Sequence, residues 1–106
     1  MSLYEEKAKL LKVLADPSRL AIVDMLSCGE MCACNILKQF DFTQPALSHH
    51  MKVLCDSGLV IGRRDGAWMH YTLVVEKFAE IAQFIIHVSN EKEDCICKDA
   101  HRICNE

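Results

Sequence analysis

The 106-residue chain is long enough for one hydrophobic core and too short for two. Its composition, 51% apolar and 25% charged with four glycines and two prolines, excludes disordered, collagen-like and low-complexity architectures. A net charge of −3 argues against holding nucleic acid by bulk charge, yet residues 43–73, with Lys52, Arg63 and Arg64 against Asp56 and Asp65, are net positive.

Residues 3–14 place Leu3, Ala8, Leu10, Leu11 and Leu14 on one broad stripe opposite Lys and Glu, which predicts an amphipathic helix. Asp16-Pro17 starts a second helix, with a capping carboxylate and a proline in the first turn; it carries Leu20, Ile22, Val23 and Leu26 and stops by Gly29. A short helix follows over 34–40. Thr43 then caps a helix with Pro45 in its first turn, carrying Leu47, Met51, Val53 and Leu54 as far as Gly58. LVIGRR and AWMHYTL are β-rich runs joined at Asp65-Gly66, a hairpin signal. VVEKFAEIAQFIIHVSN is a last helix, apolar around most of its circumference, more than one small domain can bury. That excess predicts a second copy packed against it.

The expected fold is mainly α with a β-hairpin wing: a winged helix-turn-helix homodimer over residues 1–90, then a polar, acidic, cysteine-bearing tail over 91–106. No run of 18 apolar residues spans a membrane. The charged N-terminus MSLYEEKAKLLKVL lacks the apolar core of a leader, which points to the cytoplasm.

Two motifs suit DNA. A recognition helix presents its first residues to base edges in the major groove, and Thr43, Gln44, Ser48 and His49 supply donors and acceptors there, with Lys52 suited to a phosphate. The bland alternative is a polar helix face, which the preceding short helix and following hairpin make less economical. At the hairpin, Arg63 and Arg64 are placed to grip phosphates, although a solvated turn often carries arginine too. Trp68 and Tyr71 read as core residues, and His50 as an anchor of the recognition helix.

Seven cysteines are an odd count in a helical chain without a leader, so free thiols are expected rather than a disulfide framework. Cys28 and Cys55 read as buried fillers. Cys32 and Cys34 are different. In a regular helix, residues i and i+2 lie about 200° apart around the axis. Two sulfurs on one ion must sit roughly 3–4 Å apart, given metal–sulfur bonds of about 2.3 Å. The pair can share an ion only where the first helical turn unwinds or never forms. Cys95, Cys97 and Cys104, with His101 between, are either soft-ion ligands or incidental thiols of a solvated tail. No Gly-rich phosphate loop, Ser-His-Asp set or paired carboxylates point to catalysis.

Taken together, LADPSRLAIVDMLSCGEMCAC, TQPALSHHMKVLCDSGLV and RRDGAWMHYTL resemble the ArsR/SmtB family of metal-responsive repressors, above all its arsenical-resistance branch, over about residues 5–90. The resemblance implies a dimer paired through the first and last helices that holds operator double-stranded DNA until an inducer binds. It maps DNA reading onto Thr43, Gln44, Ser48, His49, Arg63 and Arg64, and the inducer site onto Cys32 and Cys34. The Cys-x-Cys-x-x-Cys form of the site is incomplete, since position 37 is Leu37, which leaves the tail cysteines to supply a third thiolate or to form their own site. A zinc site on the last helix is not expected: His87 is followed by Asn90, and Val74 and Glu76 stand where the other two ligands would fall. As(III) or Sb(III), which take three thiolates, are the expected inducers, ahead of Cd(II) or Pb(II). The competing readings are a thiol redox-sensing repressor and a metal-buffering thiol protein that does not bind DNA.

Overall fold

The computed structural model describes residues 2–97. In chain order these form α1 (Leu3–Leu14), α2 (Pro17–Leu26), β1 (Met31–Cys32), α3 (Ala33–Gln39), α4 (Gln44–Asp56), β2 (Val60–Asp65), β3 (Trp68–Leu73) and α5 (Val75–Ser89). The helix starts follow from local chemistry. Ser2 and Glu5 form a reciprocal capping box on α1. The Asp16 carboxylate accepts from the Ser18 and Arg19 amides at 2.9 and 3.1 Å, and Thr43 Oγ1 accepts from the Ala46 amide at 3.2 Å. Those amides have no partner inside their own helices, so the caps fix where α2 and α4 begin.

The core is Ile22 and Leu26 from α2, Ile36 from α3, Leu47, Met51 and Leu54 from α4, Leu59, Val60, Tyr71 and Ile81. Each fully buried aliphatic side chain of this set contributes roughly 1.5–3 kcal/mol. One turn of α3 and three of α4 therefore converge on the same interior as the sheet, which fixes the α3–turn–α4 unit relative to the wing.

The sheet has three antiparallel strands in the order β1-β3-β2, where the sequence predicted two. The extra strand, β1, is only two residues long, too short to show a periodicity of its own. It pairs Met31 with Tyr71 and Cys32 with His70, while β2 pairs Gly62 with Tyr71 and Arg63 with His70. The rows Met31–Tyr71–Gly62 and Cys32–His70–Arg63 thus run across the whole sheet. Gly62 suits the first of these: a Cβ there would stand 3.0 Å from both Met69 Cε and Tyr71 Cε1, so those side chains would have to shift slightly to admit one. The hairpin turn lies one residue later than predicted. Asp65 pairs with Trp68, so Gly66 and Ala67 are the central residues, and only Gly66 has a positive φ, +67°. Glycine first is the requirement of a type II′ turn.

Helices α1 and α5 pack together, with Tyr4 edge-on to Phe84 at 6.3 Å between ring centres. Of α5 only Ile81 is buried; Val75, Ile85, Ile86 and Val88 are exposed, as are Leu3 and Tyr4 at the start of α1. Two sequence expectations fail here. Trp68 is 38% exposed rather than core, because it sits at the hairpin tip, beyond the reach of the interior. Cys28 is exposed rather than buried, because it lies in the turn after α2 instead of on its inner face. No helix among the described residues is long and apolar enough to cross a membrane.

Candidate nucleic-acid interface and thiol centre

The N-terminal half of α4 carries the expected reading residues on its outer side. Thr43, Gln44, Ser48, His49 and Lys52 are all exposed, while Leu47, Met51 and Leu54 face inward. The Thr43 hydroxyl is spent on its cap. Lys52 pairs along the helix with Asp56 at 3.0 Å, an exposed contact of little energetic weight that a phosphate could replace. Gln44, Ser48 and Arg64 line one cleft of about 170 Å³ between α4 and the wing. Arg64 and the start of α4 are therefore presented together.

Arg63 is not part of that group. Strand side chains alternate between faces, so adjacent arginines point opposite ways. Arg63 Nε and Nη2 donate to the two carboxylate oxygens of Glu30 at 3.0 and 2.6 Å, and Thr72 Oγ1 donates to the same carboxylate at 3.3 Å. The Arg63 hydrogen bond holds the Glu30 carboxyl below its usual range, and the carboxylate in turn raises Arg63. This arrangement had no signal in the sequence, since Glu30 and Arg63 lie 33 residues apart.

The orientation of α4 is held from behind. Arg19 Nε donates to the Val13 carbonyl at 2.6 Å and its Nη1 reaches His50 Nδ1 at 3.3 Å; because guanidinium only donates, Nδ1 is the acceptor. The His50 ring also lies 5.5 Å from the Phe42 ring. His50 thereby ties the reading helix to the start of α2, the anchoring role expected of it.

The thiol centre lies at the junction of β1 and α3. Cys32 is the last residue of β1 and the N-cap of α3, with extended backbone angles of −71° and 140°. The helical turn that would have separated the sulfurs never includes Cys32. Its Sγ stands 2.7 Å from Cys34 Sγ and accepts from the Cys34 amide at 3.4 Å. The two sulfurs already face one another, so bringing them onto one ion does not require α3 to unwind. The Cys34 thiol donating to it, with the Cys34 and Asn35 amides and the Lys38 charge, lowers the Cys32 pKa despite partial desolvation. Cys34 is raised, because its proton is shared with Cys32 and its own thiolate would face that charge. Of the two, Cys32 is therefore the one that gives up its proton first.

Past α5, Cys95 and Cys97 repeat this geometry, with Sγ atoms 2.7 Å apart and a 3.4 Å contact from the Cys97 amide. Cys95 lines a cleft with Leu3, Tyr4, Phe84 and His87, from the start of α1 and the end of α5. Cys104 and His101 lie outside the described residues. Cys55 packs beside the core, and burial pushes its thiol up. Among the described residues, no three His, Cys, Asp or Glu side chains converge as a metal-binding group. A cleft of about 720 Å³ among α1, α4 and α5 contains none of the expected site residues.

Residues 16–61, from the cap of α2 into β2, match the family described as bacterial regulatory protein, arsR family. Along 91% of the chain, the sequence is 48% identical to an arsenical resistance operon repressor of Staphylococcus xylosus, covering 92% of that protein. The chain belongs to the ArsR family. An arsenical resistance operon repressor of Staphylococcus aureus is 46% identical over the same share of this chain and 92% of its own length. Among solved structures, an ArsR family transcriptional regulator superposes with a TM-score of 0.74 at 26% identity, covering 81% of this chain and 89% of the other. A possible transcriptional regulator for arsenical resistance superposes at 0.69 and 31% identity, covering 76% and 84%. The fold of this ArsR-family chain is accordingly the winged helix-turn-helix expected from the sequence, and its relatives are regulators rather than enzymes.

Proposed function

We propose that this protein is a transcriptional repressor that holds operator DNA as a homodimer and lets go when trivalent arsenic or antimony binds Cys32 and Cys34. The observation that carries the reading is the closed dithiol at the first residue of α3, inside the α3–turn–α4 unit, in a chain nearly half identical to arsenical resistance operon repressors. The exposed apolar residues of α1 and α5 supply the pairing surface, so residues 1–90 act as one DNA-binding and dimerising domain. In such a dimer, two α4 helices enter major grooves about 34 Å apart, one helical turn. Gln44, Ser48 and His49 read base edges there, Thr43 sets the helix start, and Lys52 and Arg64 are the basic residues near the backbone, Arg63 being turned to Glu30 on the other face of the wing.

The donor set suits a soft, thiophilic centre. Two sulfurs stand side by side, and among the described residues no histidine or carboxylate joins them to complete a harder ion's shell. Bound there, As(III) supplies a centre that takes three sulfurs. Cys32 and Cys34 are two of them, and the third is assigned to the tail, from Cys95, Cys97 or Cys104. Cd(II) and Pb(II) would use the same sulfurs and rank second. Holding three sulfurs redirects Cys32, which is at once a strand residue, a helix cap and a ligand. The cap contact to the Cys34 amide and the pairing to His70 are what shift with it. Couplings of this kind are typically about 1–3 kcal/mol, or 5–150-fold in affinity.

The test is an anisotropy titration of reduced protein on its own upstream DNA, repeated with arsenite, antimonite, cadmium, lead and zinc. Release by arsenite and antimonite, weaker release by cadmium or lead and none by zinc is the expected order. Unchanged affinity with arsenite present would remove the reading. The closeness of the two thiols and the lowered Cys32 also favour a second reading, oxidation of the pair to a disulfide as the releasing event. Release by peroxide in the presence of a chelator, without release by arsenite, would select it.

A further inference from the structure

The second face of the wing carries a feature that DNA reading does not use. Glu30, Cys32, His70, Thr72 and Arg63 share one side of the three-stranded sheet, because cross-strand partners and residues two apart in a strand point the same way. Cys32 is bonded by sequence to β1 and by pairing to His70, whose other neighbour is Arg63. Two residues before Cys32, the Glu30 carboxylate receives both the guanidinium fork of Arg63 and the Thr72 hydroxyl, and His70 Nδ1 lies 4.0 Å away. One side chain thus reaches two strands of the wing from the segment that holds the dithiol.

The strand that would otherwise make this connection is weak. β1 has two residues, well under the usual strand length of about five, so few backbone hydrogen bonds oppose its displacement. An exposed ion pair adds little to global stability, but a bidentate arginine–carboxylate contact fixes direction well. Its effect is to hold position.

We propose that Glu30 is a positioning residue that couples the Cys32–Cys34 pair to the wing, with Arg63 and Thr72 as the points it holds. Arg63 is then committed to this clamp, and Arg64 alone serves the DNA-facing side of β2. The inference rests on the inducer reading above for its biological sense, but it concerns a mechanical link that exists without DNA.

Trp68, the only tryptophan, lies at the tip of that wing, half exposed, and reports on it directly. The experiment uses full-length reduced protein, wild type, Glu30→Gln and Arg63→Lys, with arsenite and cadmium as probes. Trp68 emission is followed without DNA, and operator affinity with and without each probe at two salt concentrations. In the wild type, thiol loading shifts Trp68 emission. In Glu30→Gln the shift is lost, operator affinity without probe stays within about threefold, and the loading-induced loss of affinity shrinks by at least about fivefold, a large part of a typical coupling. Arg63→Lys keeps the charge but not the fork, so it too loses the Trp68 shift and the coupling, each compared with its own probe-free state. A Trp68 response in Glu30→Gln equal to that of the wild type overturns the inference, as does a wild-type wing that ignores both probes. An Arg63→Lys variant with unaltered coupling overturns it too. If Trp68 responds as described while the operator stays bound in every case, the inducer reading fails and the link stands.

Discussion

The chain holds two Cys-x-Cys pairs with the same local geometry and very different surroundings. Both bring their sulfurs to 2.7 Å, both take a 3.4 Å contact from the second cysteine's amide, and in both the first thiol is lowered and the second raised by the shared proton. Cys32 and Cys34, however, stand where a strand of the wing becomes the helix that supports the recognition helix, four and two residues before the fully buried Ile36 in the middle of α3. Cys95 and Cys97 stand beyond the last helix, around the 83%-exposed Ile96. A chelating pair is a matter of a few dihedral angles. What makes one of them a switch is the set of elements it is joined to.

The comparison breaks most directly through the sulfurs themselves. Replacing Cys32 and Cys34 by Ser is expected to leave operator binding intact and to abolish release by arsenite. Replacing Cys95 and Cys97 leaves release in place and raises the arsenite concentration needed for it. Anisotropy titrations of the two double variants decide it, and equal loss of response in both would erase the distinction.

Packing sharpens it next. Ile36→Ala removes a fully buried side chain from α3 and should cost about 2–5 kcal/mol in denaturant unfolding, whereas Ile96→Ala should fall within about ±0.5 kcal/mol. The local chemistry offers a third probe, in which the pairs should agree. Alkylation follows the thiolate fraction, which for a lowered pKa is already substantial at a pH where a raised one is still protonated. Under limiting iodoacetamide near neutral pH, Cys32 and Cys95 should therefore be modified ahead of Cys34 and Cys97, and Cys55 late; raising the pH should narrow the gaps. Mass spectrometry of the digested protein reads the order. The smallest effect is expected at the other end of the DNA-reading unit. Thr43→Ala removes the cap of α4 and should cost about 1 kcal/mol, while Thr43→Ser should cost much less, as thermal unfolding would show.

Much of the fold is legible in the sequence because its signals are local. Asp16-Pro17 and Thr43 mark helix starts through groups within three residues of each other, and α1 runs over the residues predicted. The unburied stripe of α5 is likewise a matter of counting apolar positions. What escaped was nonlocal or too short to be periodic. β1 is defined only by its pairing to β3, Glu30 and Arg63 meet across 33 residues, and the division of labour between Arg63 and Arg64 depends on which face of β2 is inward. The spacing argument for Cys32 and Cys34 posed the right question, whether the first helical turn forms around them. The answer lay in a cap, which lets the two sulfurs face one another with α3 intact.

Arg63 and Arg64 are chemically identical neighbours, so nothing in the pair itself tells the strand which way up to lie. That instruction comes from the residues before them: Val60 is buried and Ile61 exposed, so by alternation Arg64 falls on the side of Val60 and Arg63 on the side of Ile61. A charged residue in place of Val60 would have to turn that side outward, and the two guanidinium groups would exchange destinations together. The division of duties on the wing is thus written in a valine that touches neither DNA nor dithiol.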